Sequence, residues 1–162
     1  MIKIINFVIF QSVSVFRSHI KLMALKAIIT VSFVIFSFVI ALGDIKTQSV
    51  PRAAFVIAIP VFLALKLLPR SQYTLFDSLA GLLAGLLAFL LAFFVSGGKL
   101  GLADVWYSAL AGLVLGPGNW YAAMGFACAA GMVFLLVSGR RSIAFIPFMA
   151  LGSVIMIFFD FV

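Results

Sequence analysis

Carboxylates are the side chains of this sequence whose type and placement allow acid–base chemistry. There is no glutamate, and the four aspartates are Asp44, Asp77, Asp104 and Asp160. Asp104 ends a short polar, glycine-rich break (97–104) between two uncharged apolar runs. Ionisable groups at the edge of an apolar span are rare and are functional by default. Any catalysis by carboxylates must therefore use these four residues.

The other reactive side chains are too few to form a site of their own. The sequence holds one cysteine, Cys128, and one histidine, His19. One cysteine excludes an internal disulfide and a zinc module built from paired cysteines. Because His19 lies in the N-terminal stretch, we expect neither a His-based triad nor a metal site. Cys128 stands among alanines within an apolar run, which predicts a buried, unreactive side chain.

Composition places the chain in a membrane. Of its 162 residues 66% are hydrophobic, and only 9% are charged. A soluble domain of this size needs more polar surface, so the composition indicates an integral membrane protein. Apolar runs of helical length, without strand-like alternation, favour helices. The net charge of +7 is scattered over loops and ends. This distribution indicates that the positive charge sets the membrane topology and contacts lipid headgroups, and does not bind nucleic acid.

The pattern of apolar runs predicts an all-α, polytopic membrane protein, a bundle of about six transmembrane helices. Residues 22–162 are predicted to form this one membrane domain, and residues 1–21 an N-terminal tail or interfacial helix. Translation from Met23 is an alternative start. The predicted spans are 22–43, 53–68, 75–96, 105–116, 119–137 and 143–159.

Local sequence features suggest how these helices pack and turn. Small residues four positions apart on the third span should let a neighbouring helix approach closely. Pro60 is expected to kink the second span. The run Gly-Pro-Gly at 116–118 predicts a tight turn between the fourth and fifth spans. Pairs of aromatic residues at the ends of these two spans fit an aromatic belt at the membrane surface: Trp106 and Tyr107, then Trp120 and Tyr121.

The number of crossings sorts the aspartates into two pairs. Asp44 follows the first span and Asp104 the third, so they should share one membrane face. Asp77 and Asp160 should lie at the other. The loops on the face of Asp44 carry more basic residues than the other loops, which places this face in the cytoplasm of an inner-membrane protein. These basic residues are Lys46, Arg52, Lys99, Arg140 and Arg141, against Lys66 and Arg70 opposite. The N-terminal stretch argues the other way, because Lys3, Arg17, Lys21 and Lys26 would then lie outside; with a start at Met23 only Lys26 of these remains.

Two aspartates on one face allow a specific reaction. Neighbouring carboxylates cannot both ionise cheaply, so the pair shares a proton. The ionised member can take a proton from water while the protonated member donates to a scissile carbonyl, which hydrolyses a peptide without a covalent intermediate. The alternative is that Asp44 and Asp104 only cap or anchor their helices.

Three segments together resemble the type IV prepilin peptidases. Residues 44–51, Asp-Ile-Lys-Thr-Gln-Ser-Val-Pro, resemble the aspartate loop of that family, with Pro51 at the family's spacing. Residues 101–116 begin Gly-Leu-Ala-Asp and resemble its GxGD motif with the small-residue helix that follows. Residues 146–152, Ile-Pro-Phe-Met-Ala-Leu-Gly, are similar to its closing helix and include Pro147.

The resemblance implies that Asp44 and Asp104 are a catalytic pair, supported by Pro51, Gly101, Ala103 and Pro147, without a cofactor. The substrates would be prepilin-like proteins of type IV pili or protein secretion. The chain is similar to the minimal family form, which lacks the zinc-containing segment linked to methylation. Ala103 replaces the second glycine of GxGD, and Trp106 stands where lysine is usual. An added methyl group at 103 would crowd a loop that needs special backbone angles.

Two other functions fit the same residues. One is a non-catalytic assembly protein of a pilus or secretion system, which the departures at Ala103 and Trp106 favour. The other is a small transporter in which Asp44 and Asp104 bind a cation or proton.

Overall fold

The chain folds into helices joined by short connections. The computed structural model describes residues 2–47, 50–67, 75–139 and 143–161, except for the side chains of 2–14, 18, 19, 160 and 161. Within these residues the structure is helical, with no strand. The helices are α1 (Ile2–Thr47), α2 (Arg52–Leu67), α3 (Leu75–Val95), α4 (Leu102–Ser138) and α5 (Ile146–Phe161).

Three of the helices are long and apolar enough to cross a membrane: the 15–47 part of α1, α3 and α4. Helices α2 and α5 are shorter, at 16 residues each. The prediction of an all-α, multi-pass membrane protein is confirmed. Helix α2 continues through Pro60. The connection between α2 and α3, residues 68–74, lies outside the described residues.

Helix α1 has no break where the sequence suggested a domain boundary. Its 46 residues run without interruption through position 21. Residues 2–21 therefore continue the first span as helix, and their placement at the membrane surface stays a prediction. At its other end α1 extends past Gly43, so that Asp44 lies in its last turn.

Helix α4 contains two antiparallel segments, which correspond to the predicted fourth and fifth spans. At Gly116 the backbone leaves helical geometry, with φ 76° and ψ 170°, and Pro117 follows. The indole of Trp120 donates a hydrogen bond of 3.1 Å to the hydroxyl of Ser108. Twelve residues of straight helix would separate these positions by about 18 Å. The chain therefore reverses here, as the Gly-Pro-Gly run predicted, and the described residues form six helical segments.

Glycines bring α3 and α4 into close contact. A Cβ atom on Gly81 would collide with the backbone of Gly112, and one on Gly85 with the backbone of Ser108. The hydroxyl of Ser108 also donates a 3.0 Å hydrogen bond to the Gly85 carbonyl. The small residues of α3 thus pack a neighbouring helix closely, as predicted. Because 81 meets 112 and 85 meets 108, α3 runs antiparallel to the first segment of α4.

The aromatic belt is wrong for two of its four residues. Tyr107 is fully buried, and its hydroxyl donates a 2.9 Å hydrogen bond to Ser37. Trp120 is also buried, bonded to Ser108 and packed on Phe89. A buried hydroxyl or indole N–H needs a hydrogen-bond partner. The serines supply these partners, so both rings are held in the protein core and not at the lipid headgroups.

Lys66 is another residue whose place differs from the sequence expectation. It was counted as a loop cation, but it lies in the last turn of α2 with 4% of its surface exposed. Its ammonium group donates a 2.9 Å hydrogen bond to the carbonyl of Val114. Val114 lies just before the reversal of α4, where Pro117 and the turn at Gly116 interrupt the helical hydrogen bonds. Lys66 therefore binds the carbonyl end of this helical segment.

Candidate active site

Asp44 and Asp104 meet at one end of the bundle. They come from the last turn of α1 and the first turn of α4, and each is 8% exposed. Both line a cavity of about 790 Å³. The charge of Asp44 acts on the carboxyl of Asp104, so the two side chains are within electrostatic reach of each other. The fold brings together the pair that the sequence selected.

The start of α4 fixes the orientation of Asp104. Its carboxylate accepts a 3.1 Å hydrogen bond from the backbone N–H of Gly101, and its own N–H donates to the Gly101 carbonyl. This reciprocal bonding closes the helix N-terminus as a capping box does. Ala103 lies inside the first helical turn, where alanine is the most favourable residue. The crowding expected from its methyl group therefore does not arise.

Glycine at position 101 leaves space beside the Asp104 carboxylate. Its φ of −69° and ψ of 140° are extended and open to any residue. A Cβ atom there would lie 3.1 Å from Oδ2 of Asp104, closer than an ordinary van der Waals contact. Gly101 therefore keeps room for the Asp104 carboxylate beside the backbone.

The N-terminus of α5 holds Asp44. The Asp44 carboxylate accepts a hydrogen bond from the backbone N–H of Ile146, the first residue of α5. The backbone carbonyl of Phe145 accepts hydrogen bonds from the N–H groups of Phe148 and Met149. Pro147 has no N–H and fits the first turn of a helix. The first turn therefore directs one free N–H, and the positive end of the helix dipole, at Asp44.

The electrostatics of the pair follow from burial and charge. Both aspartates lie outside the apolar spans predicted at 22–43 and 105–116. Burial, with the nearby charge of Asp44, raises the pKa of Asp104 from 3.8 to about 7, against the opposing hydrogen bond from Gly101. Burial also raises the pKa of Asp44, and the Ile146 N–H opposes this. At neutral pH the pair therefore holds a proton that ordinary aspartates would have lost.

The rim of the cavity comes from the connections beside the aspartates. Pro51 precedes α2, and its carbonyl accepts the N–H of Ala54 at 3.1 Å. Since proline restricts the preceding residue to extended geometry, Pro51 favours an extended Val50, which lines the cavity. The exposed side chains of Arg52 and Lys99 add positive charge to the rim.

The expectation that Cys128 is buried was wrong, whereas its lack of reactivity stays a prediction. Cys128 is exposed and lines the cavity. It lies on one face of the second α4 segment, at helical spacing with Gly131, Met132 and Leu135, which line the same cavity. The alanines beside it in sequence lie elsewhere around the helix. Cys128 is thus close to the candidate site.

The remaining aspartates lie away from the cavity. Asp77 is in the first turn of α3, four residues before Gly81. Gly81 packs against Gly112 and Gly116, at the far end of the α4 segment that starts beside Asp104. Asp160 belongs to the last turn of α5, whose first turn binds Asp44; its side chain lies outside the described residues.

The sequence did not reveal one member of the site, the backbone N–H of Ile146. Pro147 was singled out only through the family resemblance, without a role. Proline is favoured in the first turn of a helix, and the N–H groups of a first turn have no partner within the helix. That signal could have identified the donor, although not the residue that accepts from it.

Comparison with protein families matches residues 31–136 to the type IV leader peptidase family. The match contains both candidate aspartates and the Gly101–Ala103 segment, and it ends before Pro147. Comparisons with curated proteins and with solved structures found no match. The match covers more than half of the 162 residues, so the chain belongs to the type IV leader peptidase family and is a multi-pass membrane protein of the peptidase class.

Proposed function

We propose that this protein is an aspartyl endopeptidase that removes the leader of prepilin-like proteins at the cytoplasmic face of the inner membrane. The observation that carries the proposal is the convergence of Asp44 and Asp104 in one cavity, each 8% exposed, with one pKa near 7. Near neutral pH such a pair can hold one proton between its two carboxyls. This is the state that water-activated peptide hydrolysis requires.

The surroundings of the two carboxyls favour a division of roles. Asp44 accepts the N–H at the positive end of α5, which stabilises its ionised form. Asp104 is the residue whose pKa reaches about 7. In the proposed reaction, Asp44 takes a proton from the attacking water and Asp104 donates its proton to the carbonyl oxygen of the scissile bond. When the peptide bond then breaks, Asp44 passes its proton to the leaving amine nitrogen and Asp104 regains a proton from a hydroxyl of the tetrahedral intermediate. Both carboxyls are thereby restored without a cofactor.

The position of Ala103 supports the catalytic proposal over a non-catalytic assembly role. The assembly role was favoured because the second GxGD glycine is missing. Since Ala103 lies in an ordinary helical turn, the substitution leaves the hydrogen bond between Gly101 and Asp104 intact. Trp106 is half-buried and packs against the core. Neither departure disturbs the aspartate pair.

The cytoplasmic orientation rests on the distribution of basic residues. Lys46, Arg52 and Lys99 are exposed at the end of the bundle that holds the aspartates. Lys66, which counted against this orientation, is buried within α2 and is not a loop cation. Positive loop residues favour the cytoplasmic side. In a Cys128→Ala background, the thiol introduced by Lys99→Cys should react with a membrane-impermeant maleimide in inverted vesicles but not in intact cells.

The experiment that tests the activity is cleavage of a prepilin-like protein by purified protein in detergent or liposomes. The expected product has lost its short basic leader and begins at the apolar segment, as its intact mass will show. The transporter alternative is tested on the same liposomes by proton or cation flux. Flux that requires Asp44 and Asp104, without cleavage of any prepilin-like protein, would contradict the proposal.

A further inference from the structure

Three hydroxyl groups meet in the core beneath the aspartate pair. They belong to Ser37 of α1, Tyr107 of α4 and Ser153 of α5, and none is more than 1% exposed. Tyr107 donates a 2.9 Å hydrogen bond to Ser37. The hydroxyl of Ser153 lies beside the same tyrosine oxygen, and it has no partner elsewhere among the described residues. Burying three hydroxyls in an apolar core is unfavourable unless they bind one another, so the cluster is specific to this arrangement of helices.

Two of the three helix faces that carry these hydroxyls also carry the groups that hold Asp44. Along α1, Asp44 follows Ser37 by seven residues. Along α5, Ser153 follows Ile146, the donor to Asp44, by seven residues. Seven residues are close to two full helical turns, so both pairs share a face of their helix. The same faces of α1 and α5 are therefore in contact at two levels: at Asp44 and Ile146, and two helical turns away at the hydroxyl cluster.

The third helix face links the cluster to Asp104. Tyr107 follows Asp104 by three residues, about one helical turn, on the first segment of α4. Helix α1 packs mainly on α5 and approaches α4 at few positions. The hydrogen bond from Tyr107 to Ser37 is therefore a direct polar link between the helices that carry the two aspartates.

We propose that Tyr107 is a positioning residue that keeps Asp44 and Asp104 in register through its hydroxyl contacts with Ser37 and Ser153. This inference rests on the proposed peptidase function and deepens it. Tyr107 is fully buried, so it acts through the helices and does not touch substrate. Loss of its hydroxyl leaves the ring packing intact but lets α1 and α4 shift relative to each other.

The first test compares two Tyr→Phe variants. Tyr107→Phe removes the core hydroxyl, whereas Tyr121→Phe removes one from a ring that is 65% exposed. A small misplacement of catalytic groups costs about tenfold to a hundredfold in rate. We expect Tyr107→Phe to lower kcat by that factor with KM unchanged, and Tyr121→Phe to match wild type. Equal kcat values for the two variants would overturn the inference.

Serine variants give a second, milder test. Ser37→Ala removes the hydrogen-bond acceptor of Tyr107, and Ser153→Ala removes the hydroxyl that lies beside the tyrosine oxygen. Ser78→Ala removes a fully buried hydroxyl of α3 outside the cluster. Combined with Tyr107→Phe, Ser37→Ala should add little further loss of kcat, because both remove the same bond. Losses that multiply, or an equal loss from Ser78→Ala, would contradict the inference.

A measurement that needs no peptidase activity separates this inference from the proposed function. Lys46 and Lys99 are exposed and lie near the two aspartates. Spin labels at Lys46→Cys and Lys99→Cys, in a Cys128→Ala background, report the distance between the C-terminal end of α1 and the loop before α4. Tyr107→Phe should shift or broaden this distance distribution and Tyr121→Phe should not. If wild type cleaves no substrate, the proposed function fails and this comparison still decides the positioning role; superimposable distributions would refute it.

Discussion

Replacing Asp104 should make the folded protein more stable at neutral pH. Burial raises the pKa of the Asp104 carboxyl from 3.8 to about 7. A carboxyl whose pKa is raised on folding stabilises the folded state below the unfolded pKa, and this stabilisation is lost as the pH rises through the folded pKa. The unfolding free energy of wild type should therefore fall between pH 4 and pH 7 and then level off.

The size of this effect follows from the same values. One pKa unit corresponds to about 1.4 kcal/mol, so ionising Asp104 in the folded state costs on the order of 4 kcal/mol. Asparagine has nearly the same size, cannot ionise, and still accepts the Gly101 N–H. Asp104→Asn should unfold with a free energy higher than wild type by up to about 4 kcal/mol at pH 8 and with little difference at pH 4.

The assay is reversible unfolding in mixed detergent micelles from pH 4 to pH 8. Asp77→Asn is the matched control, because Asp77 lies partly exposed at the start of α3, away from the cavity. Its curve should keep the fall of wild type between pH 4 and pH 7, because Asp104 is still present. If Asp104→Asn also followed wild type across the pH range, Asp104 would not be a buried, proton-holding carboxyl, and the assignment of roles in the pair would be refuted.

Three further predictions concern the effect of other residues on cleavage. Gly101→Ala should lower kcat by about tenfold, because its Cβ would press on Oδ2 of Asp104. Ala103→Gly should have little effect, and equal kcat values for these two variants would contradict the packing argument. A bulky maleimide on Cys128, which lines the cavity, should block cleavage by wild type but leave Cys128→Ala active, and continued cleavage after complete labelling would show that substrate does not enter there. Asp77→Asn and Asp160→Asn should leave cleavage within a few-fold of wild type, and a collapse in either would refute the sorting of the aspartates by membrane face.

The sequence predicts the aspartate pair because a membrane limits where helix ends can lie. Each apolar run must cross, so counting runs assigns Asp44 and Asp104 to the same face before any contact is known. The glycines of α3 were predictable for a similar reason, since a row of small residues has few uses other than close packing. What the row approaches was not predictable: it packs on α4, whereas α1 rests on α5.

The errors arise where one helix face had to be told from another. Tyr107 and Trp120 stand at helix ends, as belt residues do, but their partners Ser37 and Ser108 are distant in sequence. Cys128 has alanines as sequence neighbours, yet neighbours in sequence point in different directions around a helix. Lys66 was placed in a loop because no sequence pattern shows a buried carbonyl such as that of Val114. Each of these errors concerns the direction in which a side chain faces, and tertiary packing decides that direction.

The most direct test of the account is cleavage of a prepilin-like protein by Asp44→Asn, Asp104→Asn and the double variant, beside wild type. Asparagine keeps the side-chain size but cannot exchange the shared proton. If the two carboxyls act as a unit, each single variant abolishes leader removal and the double variant is no worse than either, because residues that act together do not add. Processing at the wild-type rate by either single variant, with the protein folded in the membrane, would contradict the aspartyl mechanism.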